Sequence, residues 1–216
     1  MKTDIQIQQD VMAELKWEPK VNAAHIGVEV KNGVVTLSGH VDSFAEKWNA
    51  EEAAKRVSGV KVIAVELDVV LLGSNQINDT EIAKAAMNAL KWSVYKLADT
   101  VSIMVEDGFI TLTGEVSWNY ERLSAENSVR YLKGVRGVYN FIKIKPSIPV
   151  TTVKIDIEKA LKRRAHDEAQ EIIVSVQGDE VTLGGKVHDW KEKSLAIDAV
   201  WAIPGVKKVI DNTSFV

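Results

Sequence analysis

His25, His40, His166 and His188 are the side chains of this 216-residue chain best suited to moving a proton or holding a metal near neutral pH. No two of them stand at the i,i+4 interval by which one helix face offers a pair of ligands. There is no cysteine, which removes disulfides, thiolate metal sites and thiol nucleophiles. The glycine-rich loops that cradle phosphate and the G-x-S-x-G turn that presents a serine are also absent, and Gly184-Gly185 falls inside a strand pattern. A carboxylate–cation pair does recur, as Glu46-Lys47, Glu121-Arg122 and Glu192-Lys193. Adjacent residues on a helix point apart, so the pair is no acid–base couple, and a carboxylate near a helix start is stabilised by the helix dipole. These residue types predict no catalytic, cofactor-binding or metal-binding residues, and the chain is read as non-enzymatic.

A second set of residues is suited to surfaces. Three segments end in Lys16-Trp17, Lys91-Trp92 and Lys162-Arg163-Arg164. Cations beside an interfacial aromatic are what a phospholipid surface favours. The same cations would offset the dipole at a helix C-terminus, and each tryptophan could pack on a neighbouring module. Trp201 replaces Lys55 and Arg130 at a place that reads as exposed, which predicts an interface with a sister module or with another chain. Lys16, Trp17, Lys91, Trp92, Lys162, Arg163, Arg164 and Trp201 are therefore the candidate lipid- or partner-binding residues.

What positions them is a repeat. The strings VVTLSGHV, FITLTGEV and EVTLGGKV carry glycines at Gly39, Gly114 and Gly185, and 20 residues after each comes Gly59-Val60, Gly134-Val135 or Gly205-Val206. A Leu-Lys pair precedes each first glycine by 24 residues, at Leu15, Leu90 and Leu161. Three anchors keeping register in three copies define tandem modules at 1–72, 73–147 and 148–216. The joints, Gly73-Ser74-Asn75 and Pro146-Ser147-Ile148-Pro149, are too short to let the modules swing freely.

Each module opens with an apolar stripe of helical period: Ile7, Val11, Leu15; Ile82, Ala86, Leu90; Val153, Ile157, Leu161. Asp4, Asp79 and Thr151 or Thr152 are the expected N-caps. Alternating runs follow, Ile26-Val28-Val30 and its counterparts, then a tight turn and a returning strand that contains the repeat glycine. That glycine is expected on the inward face, where it lets a helix approach the sheet. A second helix, over 43–57 in the first copy, leads to a last strand over 60–71, 135–145 and 206–216. The expected fold is α+β: three tandem αββαβ modules, each a three-stranded mixed sheet with two helices on one face.

Charge narrows the partners. Lysine and arginine against aspartate and glutamate number 8 to 11, 9 to 8 and 10 to 11 in the three modules, leaving −3, +1 and −1. The sum of −3 argues against nucleic acid, and only the second module is positive. No stretch approaches the ~20 apolar residues of a membrane span. The first residues lack the apolar run of a signal peptide, which predicts a cytoplasmic location as written and a periplasmic one if a signal has been omitted.

The T-L-x-G-x-V strand, the Gly-Val twenty residues on and the αββαβ order resemble the BON family, named for bacterial osmotically inducible and nodulation proteins. The resemblance covers nearly the whole chain. It implies a non-catalytic, transport-associated module linked to envelope integrity and osmotic stress, which binds phospholipids or protein partners. Asn140 matches an asparagine common late in the last strand, displaced to Asn212 in the third copy and replaced by Val65 in the first. Three readings follow: attachment to an anionic phospholipid surface or a protein partner, a cytoplasmic small-solute or ion sensor, and a scaffold that self-associates as a homo-oligomer.

Overall fold

In a computed structural model of the chain, residues 2–73, 76–93, 97–145, 172–203 and 205–216 are described. Helix α1 (Asp4–Trp17) is followed by strands β1 (Ile26–Lys31) and β2 (Val34–Val41), helix α2 (Phe44–Lys55) and strand β3 (Val62–Val69). The second repeat gives α3 (Asp79–Lys91), β4 (Val101–Glu106), β5 (Phe109–Val116), α4 (Asn119–Arg130) and β6 (Gly137–Ile144). The third gives β7 (Ile172–Gln177), β8 (Glu180–Val187), α5 (Trp190–Trp201) and β9 (Lys208–Phe215). The stripe Val153, Ile157, Leu161 and the caps Thr151 and Thr152 lie outside the described residues. Each sheet has three strands in sequence order, the first pair antiparallel and the second parallel. This is the α+β architecture that the periodicities predict.

The stripes do what their spacing implies. Ile7, Val11 and Leu15 from α1 and Ala50, Ala53 and Ala54 from α2 cover Val35, Leu37 and Leu67 of one sheet face. Ile82, Ala86 and Leu90 do the same over Ile110 and Leu112 in the second module. The last strands start two residues later than expected, β3 at Val62, β6 at Gly137 and β9 at Lys208.

Two local expectations are corrected. Thr3 and Asn78, not Asp4 and Asp79, cap the first helices. The aspartates are the first helical residues, and they reach across to the hairpin turns. Asp4 accepts from the backbone N–H groups of Asn32 and Gly33 at 2.7 and 3.0 Å, and Asp79 from those of Asp107 and Gly108 at 2.8 and 2.9 Å. The first two modules thus tie the start of the first helix to their own β-turn.

The repeat glycine is not a spacer for a helix. It pairs with the first residue of the preceding strand, Gly39 with Ile26 and Gly114 with Val101. There it holds φ of +121° at Gly39, +135° at Gly114 and +97° at Gly185. A Cβ at Gly39 would overlap the carbonyl oxygen of His25, and one at Gly114 that of Thr100. The absent side chain makes room for backbone of the neighbouring strand, in a conformation that L-residues avoid.

Candidate functional site

The ends of the first helices stand clear of the fold. Trp17 is 83% exposed and Trp92 is 84% exposed, so neither packs on a neighbouring module. Lys16 and Lys91 occupy the last turns beside them. The same place in the third module, Lys162, Arg163 and Arg164, lies outside the described residues.

Trp201 has the opposite environment. It packs against the core of the second module, with Arg122 of α4 over its ring at 5.1 Å. The expectation that this position is exposed in the other copies is wrong. Arg130 is only 4% exposed, lies 3.8 Å from the Trp48 ring centre, and is paired with Glu126 at 2.6 Å. Lys55 is half-buried, 5.5 Å over the Trp190 ring and paired with Glu51 and Glu52. Nothing in the residue pattern warned of this, because a cation at a helix end reads as solvated unless the aromatic it stacks on is known.

Taken together, these contacts join all three modules. The last residue of α4 reaches Trp48 of α2, the last of α2 reaches Trp190 of α5, and the last of α5 reaches Arg122 of α4. Each joint runs from the C-terminal end of one second helix to the N-terminal half of another, so the chain closes on itself as a head-to-tail ring. Phe44 adds to the first joint by packing on the second module's core, and Lys20 lies over Tyr131 at 5.2 Å. Burial pushes the Arg122 guanidinium below the usual arginine range, against the pull of Glu126.

The recurring glutamate has a backbone task at the entrance of each second helix. Glu46 accepts from the N–H groups of Asn22 and Asp42, Glu121 from those of Ser117 and Trp118, and Glu192 from that of His188. Its neighbouring cation goes elsewhere: Lys47 donates to the Leu67 carbonyl at 2.7 Å, and Lys193 pairs with Asp211 at 2.5 Å. Sheet register makes Asp211 the counterpart of Asn140, each opposite a leucine of the central strand. Asn140 Nδ2 donates to the Arg122 carbonyl and to Glu126, so this place holds the second helix on its sheet.

Burial alone would raise the Asp211 carboxyl, but the Lys193 ammonium and the hydroxyl and N–H of Thr213 outweigh it and hold the pKa below the usual aspartate value. A depressed carboxylate stabilises the fold above its unfolded pKa of about 3.9, and that contribution is lost as pH falls through the folded value. Asp211→Asn should lower the melting temperature at pH 7. It should also weaken the decline of stability below about pH 4, as thermal melts across the acid range would show.

Two of the four histidines meet. His25 and His40 stack at 4.5 Å across the β1–β2 pair, a proximity that their spacing in sequence conceals. Among the described residues no three His, Cys, Asp or Glu side chains form a cluster that could hold a metal ion. No helix among them is long and apolar enough to cross a membrane.

The BON domain family profile matches three times, over residues 3–70, 78–146 and 150–216. The chain belongs to the BON domain family. Each BON match takes in one of the three sheets together with its second helix. The chain is similar to osmotically-inducible protein Y of Escherichia coli (strain K12), 29% identical over 148 residues, or 66% of this chain and 73% of that protein. Among solved structures, the C-terminal domain of CdsD, a structural protein of the type III secretion system of Chlamydia trachomatis, aligns at 14% identity over all of both chains with a TM-score of 0.27. The periplasmic domain of PrgH aligns at 13% identity over 89% of this chain and 95% of its own, with a TM-score of 0.24. Overlap this low carries no argument about the BON chain.

Proposed function

We propose that this chain is a non-enzymatic, stress-linked envelope protein that attaches to anionic phospholipid surfaces through the ends of its first helices. The exposed Trp17 and Trp92, each beside a lysine, carry the reading. A largely exposed indole next to an ammonium leaves apolar area in water that an interface would take up, while the charge meets lipid phosphate. Similarity to an osmotically inducible protein supports the link to osmotic stress. The ring supports attachment at more than one point. Its three joints start from equivalent positions, 55, 130 and 201, and run in one sense, an arrangement in which two helix ends can meet one surface.

Cosedimentation of the chain with liposomes tests this. Binding should require anionic lipid and weaken between low and physiological salt, because the net charge of −3 leaves only local attraction. Equal recovery in the supernatant with neutral and anionic vesicles at low salt would end the proposal.

A further inference from the structure

The residue that closes each second helix differs in kind among the modules, and its contact differs with it. In α4 and α2 it is a cation, Arg130 or Lys55, laid over a tryptophan of the next module, Trp48 or Trp190. In α5 it is an aromatic, Trp201, laid under a cation of the next module, Arg122. Two joints therefore run cation onto aromatic, and the third runs aromatic onto cation.

We propose that positions 55, 130 and 201 are docking keys that fix the order of the ring, and that the inverted third joint is what makes it close within one chain. If all three joints had the same polarity, any key would fit any receiving site, including one on a second copy, and head-to-tail docking would extend without closing. With Arg122 at the receiving site of the second module, the wrong keys Lys55 and Arg130 would set two cations against each other. Trp201 is the one key that presents a ring there. The site is half-buried and already costly for one charge, since burial disfavours the Arg122 cation and Glu126 is the carboxylate that offsets it. Specificity of this kind rests on rejecting the wrong partner as much as on holding the right one. The receiving aromatics are in turn distinct. Trp48 sits inside α2 and takes a nearly buried Arg130, whereas Trp190 opens α5 and is flanked by Lys55 on one side and Lys193 at 5.3 Å.

The test is a swap across the third joint. Trp201→Arg places like charges at the closing contact and should open the ring. The radius of gyration from small-angle scattering should rise by roughly a quarter from the about 17 Å expected of a compact chain of this length. The freed surfaces should also find second copies, so that the mass measured by light scattering grows with concentration. The double variant Arg122→Trp/Trp201→Arg restores a cation–aromatic pair but gives all three joints one polarity, so it should be compact when dilute while its mass still grows with concentration. Overturning results are a Trp201→Arg chain as compact and monodisperse as the original, or a double variant that stays as monodisperse as the original at every concentration. If circular dichroism shows that the single variant has lost secondary structure, the double decides: folded with a mass that grows with concentration supports the keys, and unfolded or monodisperse overturns them.

Discussion

Gly114→Ala should destabilise the second module by about 3 kcal/mol or more, read as a fall of roughly 10 °C in the melting temperature of the full chain. Two costs coincide at this position. The backbone holds φ of +135°, which a residue with a side chain reaches only under strain, and the added Cβ would overlap the Thr100 carbonyl oxygen. Relief would require β4 to move away from β5 where Val101 pairs with Gly114, at the mouth of a buried cluster that includes Val101 itself. Gly178→Ala is the control. Its φ of +61° is also left-handed, but nothing lies within 4 Å of a Cβ there, so the cost should be roughly 1 kcal/mol. Thermal melts of both variants separate the two contributions. Equal shifts would mean that the overlap with Thr100 is relieved without consequence.

The glycine shows how far the sequence could be read. Its triple recurrence located the returning strand and set the register of the modules, because a repeat is a property of spacing alone. The reason for the glycine did not follow. Alternation assigns a side chain to a face, whereas φ depends on how the strand before it approaches, and that is visible only in the paired structure. The aspartates at 4 and 79 behave alike. Position suggested caps, but a carboxylate one residue further on can accept two N–H groups from a turn 28 and 29 residues away, and no local pattern encodes that. The first helices of the first two modules, the hairpins and the order of the described elements were legible because each depends on contacts close in sequence. The ring depends on contacts between modules that differ at the very positions involved, so comparing the copies pointed away from it. Lys55 and Arg130 made position 201 look solvated, and the partners Trp48 and Trp190 have no aromatic counterpart in the second module.

The same comparison makes the exposed tryptophans more informative. A chain that packs Trp201 against a sister module and stacks cations on Trp48 and Trp190 leaves Trp17 and Trp92 in water at equivalent places. Trp17→Ala and Trp92→Ala should each weaken partition into anionic liposomes roughly ten-fold, and the double variant roughly a hundred-fold, taking about 1.4 kcal/mol per partly inserted indole. Multiplication is the informative outcome, because it requires both helix ends to reach one surface at once, as modules arranged around a closed ring allow. Stability should hardly change, since neither side chain is packed. Lys16→Glu and Lys91→Glu should weaken binding only when anionic lipid is present and salt is low, by about 1 kcal/mol for each charge removed near the surface. If the double tryptophan variant binds as well as either single one, the two ends do not engage together. If it binds as well as the original chain, the helix ends are not the attachment site, and the stacked aromatic row Phe109, Tyr139 and Phe141 on the second module's open sheet face becomes the next surface to mutate.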